Sequence, residues 1–301
     1  MSWLPITLAC ALCLASADAA TKAWLQDYSA WELALIRFTL TALVLLPLLA
    51  GLPNPLALPP AFWGWLALLV PLEVAAMLLY MAAIRDHPLS LTVPYLAFTP
   101  AFVILIAYLL LGERISWGGA AGVLLVVAGA WLLNVGHARL REWRSWLRPL
   151  RAILWEPGSR MMLGVALIYA FTAVMGKAAM LYVGPEQFGA LYFLIIGLVL
   201  LPLFALPSAA LSLVGGSRVS VRRLLRRPRA ALTVAVLNAG MIYTHFLALQ
   251  RVEVAYMIAV KRTSLLFGII YGVLLFRETG LSTRLPAGLL MIAGVFVILL
   301  A

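Results

Sequence analysis

The chain is 301 residues long, 65% apolar and 11% charged, with a formal net charge of +11. A charged fraction far below the roughly 25% of soluble domains excludes a soluble globular protein. The positive charge does not point to nucleic acid either. It is concentrated in two loops between apolar segments, and no aromatic platform for stacking bases accompanies the second of them.

Apolar windows of about 20 residues are what a bilayer-spanning helix needs. Ten occur in order, at roughly 3–25, 30–50, 61–84, 89–111, 117–135, 160–182, 187–207, 230–249, 254–276 and 282–301. The expected fold class is an all-α integral membrane protein of ten transmembrane helices, multi-pass in the cell (inner) membrane.

Span one opens with a stretch that mimics a signal peptide, Ala17-Asp18-Ala19 resembling a cleavage site. Nothing before Asp18 is charged, so residues 1–20 lack a signal peptide's basic start and read as the first span. Cys10 and Cys13 lie one turn apart in it. A lone C-x-x-C is a weak metal or redox signal, and small apolar filler at a helix interface is the better reading. Asp18 and Lys22 follow at an i, i+4 spacing that puts them on one face, where they can pair. If Asp18 faces a cavity, it can exchange a proton as substrate displaces the lysine. Lys22 sits near the span end, where a lysine can instead snorkel to the interface.

Span two carries Arg37 seven residues in, as a cavity cation or a partner for Glu73. On span three Glu73, Met77 and Tyr80 share a face, and on span eight Asn238, Ile242 and His245 share one; together they suggest two helices lining a polar cavity. An intramembrane glutamate is a usual proton carrier in transporters, and histidine ordinarily changes charge near physiological pH. Tyr95, beside Pro94 on span four, is read as the wall facing the ninth span. Glu113-Arg114 and Arg277-Glu278 lie at span ends and read as interfacial turn charges.

Between spans five and six stand Arg139, Arg141, Arg144, Arg148, Arg151 and Arg160, interleaved over 138–155 with Leu140, Trp143, Trp146, Leu147, Leu150 and Trp155. That spacing favours a helix lying in the membrane interface. Between spans seven and eight stand Arg218, Arg222, Arg223, Arg226, Arg227 and Arg229. Anionic lipid head groups are the expected partners of both clusters. The positive-inside rule then places these loops in the cytoplasm and both chain ends outside.

Span nine contains Lys261 and Arg262 in the run Ala259-Val260-Lys261-Arg262-Thr263-Ser264, with Lys261 about 10 Å along a helix starting at Val254. A charge at mid-span costs about 2.5–3.5 kcal/mol on insertion scales and normally faces a cavity or partner.

The chain also repeats itself. Leu43-Val44-Leu45-Leu46-Pro47-Leu48-Leu49 recurs as Leu198-Val199-Leu200-Leu201-Pro202-Leu203-Phe204; Lys22 falls on Lys177 and Phe38 on Phe193. Leu109 to Glu113 matches Leu274 to Glu278, and Ala128-Gly129 matches Ala293-Gly294. Five spans per copy is odd, so the copies are expected to be inverted, the mark of secondary transporters with alternating access. The expected division is a first repeat at 1–135, a basic amphipathic linker at 136–159 and a second repeat at 160–301. Residues the copies share (Lys22 with Lys177, Glu113 with Glu278) read as scaffold. Those they do not share (Asp18, Arg37, Glu73, His245, Lys261, Arg262) read as the ligand path.

Lys22, Arg37, Lys261 and Arg262 outnumber Asp18 and Glu73 among interior candidates, so an anionic or zwitterionic small molecule is the expected ligand. Lys261, Arg262, Lys22, Arg37, Tyr95, Asn238, His245 and Tyr80 are the substrate-binding candidates, and Asp18 and Glu73 the proton-coupling ones. No H-E-x-x-H, nucleophile–base pair or phosphate loop is present, so neither enzyme activity, metal nor cofactor is expected. The assembly is expected to be a monomer or a homodimer.

On these residues the chain resembles the drug/metabolite transporter superfamily, in particular its EamA-type members. The likeness is carried by Asp18-Ala19-Ala20-Thr21-Lys22, Leu110-Leu111-Gly112-Glu113-Arg114, Lys261-Arg262-Thr263-Ser264 and Leu275-Phe276-Arg277-Glu278. It implies an inverted five-plus-five fold with a central cavity lined by spans 1, 3, 4, 6, 8 and 9, and secondary transport of metabolites, amino acids, nucleotide precursors or drugs. It also implies both termini in the cytoplasm, opposite to the arginine bias, and many relatives have an uncharged ninth span. A flippase for a phosphorylated lipid carrier is the alternative, with Lys261 and Arg262 gripping phosphate.

Overall fold

The computed structural model describes residues 2–54, 57–86, 93–134, 156–204, 226–276 and 281–301. Every regular element among them is helical. We number these α1 (Trp3–Trp24), α2 (Ala30–Leu35), α3 (Thr41–Leu45), α4 (Pro60–Asp86), α5 (Thr99–Leu111), α6 (Trp117–Asn134), α7 (Pro157–Met180), α8 (Pro185–Leu200), α9 (Pro228–Leu249), α10 (Val254–Lys261), α11 (Ser264–Phe276) and α12 (Leu281–Leu300). Four begin with proline, at positions 60, 157, 185 and 228, where the missing N–H is no loss and the fixed φ favours a helix start. Among the described residues six helical stretches are long and apolar enough to cross a membrane: Trp3–Trp24, Trp31–Gly51, Pro60–Met77, Pro157–Met180, Pro228–Leu249 and Val254–Leu275. Four shorter apolar helices accompany them, at Tyr95–Leu111, Trp117–Leu132, Pro185–Leu200 and Leu285–Leu300.

Two of these six long stretches are not simple α-helices. The second runs from α2 through a π-helical segment, Ile36–Leu40, into α3 and a 3-10 segment, Leu46–Gly51. Pro47, which cannot donate to a helical ladder, lies in that last segment. In the last of the six, α10 ends at Lys261 and α11 begins at Ser264. Across the junction the bonds tighten to i→i−3, from Arg262 N to Ala259 O and Thr263 N to Val260 O, each 3.0 Å. The Thr263 hydroxyl also donates to Val260 O at 2.8 Å, a back-bond of the kind that bends helices.

The chain forms two compact units. One comprises Met1–Pro71 with Gly176–Arg251, the other Leu72–Met175 with Val252–Ala301. Each pools residues from the front and back of the sequence, and the division falls inside α4 and α7.

In the first unit α1 packs along α9, and α8 packs on both α9 and the second span. Cys10 is buried there and its thiol donates to Met241 O at 3.4 Å, while Cys13 lies against Gly240; both fill the α1–α9 seam. Phe188 centres an aromatic cluster, stacked on Tyr192 and edge-on to Phe62 and Phe246. In the second unit α6 and α12 cross closely. A methyl group added at Gly122 would come within 2.8 Å of Gly294 O, and one at Gly294 within 2.7 Å of Gly122 O. Small residues that allow backbones to approach are how helices associate in lipid, where apolar burial supplies no drive.

The basic linker expected at 136–159 lies outside the described residues up to Trp155, as do Arg218, Arg222, Arg223, Arg277 and Glu278.

Candidate functional site

The first unit holds Asp18, Lys22, Arg37, Asn238 and His245. Arg37 stands in the π-helical segment, and its guanidinium forms an ion pair with Asp18 on α1. A second bond runs from the same nitrogen to the Thr21 hydroxyl at 3.3 Å. An Asp18–Arg37 pair was not among those the sequence suggested, and only the packing of the second span on the first could specify it. The Asp18 side chain is 56% exposed and that of Arg37 29%. Asp18 lies six residues, about 9 Å, from the C-terminal end of α1. Ionised groups within spans are expensive toward lipid, and pairing lowers that cost.

Beneath Arg37 lies a polar lock. Buried Asn238 on α9 donates through its amide to Arg37 O at 2.9 Å and to the Thr41 hydroxyl at 3.1 Å. Thr41 is itself buried and faces Ala235 O at 3.5 Å. A π-helical turn leaves backbone carbonyls without their usual i+4 donors, and Asn238 supplies one. The side chain expected to contact ligand thus spends its donor on the backbone that presents Arg37. Thr21 and Thr41 received no role from the sequence; a hydroxyl within an apolar span was the available signal. His245 is half-buried, one turn beyond Met241 on α9, with its ring edge-on to Phe246 at 5.0 Å. Lys22 is exposed in the last turn of α1.

The second unit holds Glu73, Tyr80, Tyr95, Lys261 and Arg262. Glu73 and Tyr80 are half-buried on α4, with Met77 buried between them. Tyr95 is fully buried, edge-on to Trp131 at 5.4 Å and hydrogen-bonded to buried Ser159. It packs with Ala76, Ala83, Met162 and Val165. Expected as a cavity wall, it is a core residue, carried on a 3-10 turn (Val93–Phe98). Lys261 and Arg262 are half-buried at the helix break. The Arg262 Nε is buried with no hydrogen-bond partner among the described residues, and Tyr169 of α7 lies close enough to interact with its charge. Tyr169 is distant in sequence and no signal named it.

The break is held from its other end. Gly112 adopts the left-handed conformation, φ 68°, that ends α5. The next residue, Glu113, accepts a bond from Val254 N at 2.9 Å, so its carboxylate caps α10. An acidic group is favoured there by the exposed N–H groups and the helix dipole. Glu113, read as a turn charge, therefore fixes the helix that ends in Lys261. Among the described residues no group of three or more His, Cys, Asp or Glu is placed to hold a metal ion.

Apolar helices of spanning length, with few charges inside them, define a multi-pass membrane protein. The chain belongs to the EamA-like transporter family, whose model matches residues 1–135 and 157–300. It is accordingly a membrane transporter and not an enzyme. A curated relative is 38% identical over 72 residues, covering 24% of this chain and 67% of its own length: a probable 4-amino-4-deoxy-L-arabinose-phosphoundecaprenol flippase subunit ArnE from Enterobacter sp. (strain 638). A solved protein structure superposes on 99% of this chain and 96% of its own with a TM-score of 0.76 at 17% identity, a likeness of fold.

Proposed function

We propose that this transporter is a secondary carrier of a small anionic or zwitterionic metabolite, working by alternating access with proton coupling. Its architecture in this reading is ten spans in two inverted five-helix repeats, 1–135 and 160–301, joined by the basic linker 136–159. The observation that carries the reading is the placement of Lys261 and Arg262 at the junction of two helices within one apolar span. Discontinuous helices at membrane depth are where transporters bind substrate, and two adjacent cations there call for an anion. Within the second unit Tyr80 and Tyr169 supply polar groups; within the first, Arg37 and Lys22 supply positive charge and His245 a polar group. Asn238 and Tyr95 act one step back, by holding Arg37 and the fourth span in place. Asp18 competes with the ligand anion for Arg37 and, with Glu73, carries the proton.

A second reading is favoured by the flippase-subunit relative: the two cations grip the phosphate of a phosphorylated lipid carrier. Purified protein in proteoliposomes separates them. A thermal-shift screen of metabolites should give a stabilising anion or zwitterion that is then taken up under an imposed pH gradient. Lys261→Ala and Arg262→Ala should each reduce both the shift and the uptake while leaving expression unchanged. Translocation of a phosphorylated polyisoprenoid without solute uptake would replace the first reading by the second. Normal binding and transport by both variants would overturn the anion site altogether.

A further inference from the structure

The first unit holds a second feature. The C-terminal end of α1 and the N-terminal end of α9 frame an open cavity of about 500 Å³, lined by Ala23, Trp24, Arg227, Pro228, Arg229 and Ala230. Both helices are spans that end there, so the cavity opens at the membrane–water boundary. Its wall is mostly apolar, and Trp24, 47% exposed, contributes the kind of ring that collects at that boundary.

The two arginines differ. Arg227 is part of the frame: its guanidinium bonds to Trp24 O and, at 2.9 Å, to Asp27, tying the end of α1 to the start of α9. Arg229 is exposed, and among the described residues its side chain makes no hydrogen bond or ion pair. Exposed Arg226 adds further positive charge just outside the cavity.

We propose that this cavity is a binding site for an anionic phospholipid. Arg229 meets the phosphate, and Trp24 with Ala23 and Ala230 receives the glycerol and upper acyl region. Charge complementarity selects the occupant: a basic side chain above an apolar wall, at the depth where head groups lie, matches an anionic amphiphile better than a free anion or a neutral lipid. A juxtamembrane arginine contributes about fivefold in affinity for an acidic surface. Because Arg227 and Asp27 already join α1 to α9, an occupant beside them braces that seam.

The test uses the full chain in detergent, with thermal unfolding and native mass spectrometry read against added phosphatidylglycerol, phosphatidylcholine or inorganic phosphate. Phosphatidylglycerol should stabilise the protein and remain bound, the other two much less. Arg229→Ala should weaken phosphatidylglycerol binding by about fivefold, Arg229→Lys should keep most of it, and Trp24→Ala should lower it without changing the unfolding temperature of the lipid-free protein. Equal stabilisation by phosphatidylcholine, stabilisation by inorganic phosphate alone, or full phosphatidylglycerol binding by Arg229→Ala would each overturn the proposal. Solute uptake by Lys261→Ala is a separate readout, so failure of the transport reading leaves this site standing.

Discussion

Arg37 shows how a single side chain acquires a job from its backbone. It lies where the second span widens into a π-helix, and Asn238 from another helix satisfies the carbonyl that the widened turn leaves over. The guanidinium is thereby turned toward Asp18 and Thr21. Single-turn π segments recur at functional sites for this reason: they re-aim one residue without breaking the span. If Asp18 and Arg37 act as a unit, their effects on stability will not add. A double-mutant cycle with Asp18→Asn and Arg37→Gln, measured by unfolding of detergent-solubilised protein, should give a coupling of about 0.5–3 kcal/mol. Additivity within about 0.3 kcal/mol would mean the pair is incidental. Asn238→Leu, which fills the space but removes the donor, should cost about 1–3 kcal/mol by leaving the Arg37 carbonyl and Thr41 hydroxyl short of a partner. It should also weaken ligand binding, although Asn238 need not touch the ligand.

At the scale of elements, α6 and α12 are held by the absence of side chains. Gly122 and Gly294 face each other's carbonyls, and a methyl at Gly129 would lie 2.8 Å from Ala287 O. These obstacles are backbone atoms, which cannot rotate away. Gly122→Ala should therefore destabilise by about 1–3 kcal/mol through overpacking, despite a helix-propensity gain of about 1 kcal/mol. Gly164, with open space around its Cα, is the control: alanine there should be neutral or stabilising. A lower unfolding temperature for Gly122→Ala but not for Gly164→Ala is the expected pattern. The ninth span is the complementary case, two helices joined by a tightened turn, with Glu113 capping one end of α10 and the two cations at the other. What reads in sequence as one apolar stretch interrupted by charges is physically a short helix with both ends specified.

At the scale of the whole molecule, the proposed topology makes a claim about sidedness. Ten spans put the two ends of the chain on one face, and the arginines of the 5–6 and 7–8 loops put that face outside. An alkaline phosphatase fused after Ala301 should be active in bacterial cells, and one inserted within 136–155 inactive. The reverse pattern would mean that the loop arginines do not set the orientation and that the family's usual arrangement holds.

The all-helical membrane class was legible because bilayer thickness fixes a length and lipid fixes a composition; among the described residues six helical stretches reach spanning length and four shorter helices are apolar. The candidate site was legible only as a list. Sequence marks a charge inside an apolar span because such a residue is expensive wherever it points, so Asp18, Arg37, Lys261 and Arg262 could be named without coordinates. It does not mark partners. Pairing Arg37 with Asp18, sinking Tyr95 into the core and capping α10 with Glu113 all depend on which helices pack together. Helix packing in lipid rests on shape and small residues, with no hydrophobic gradient to advertise the interface. The membrane determined the elements from sequence alone; the tertiary contacts decided which of their few polar groups meet.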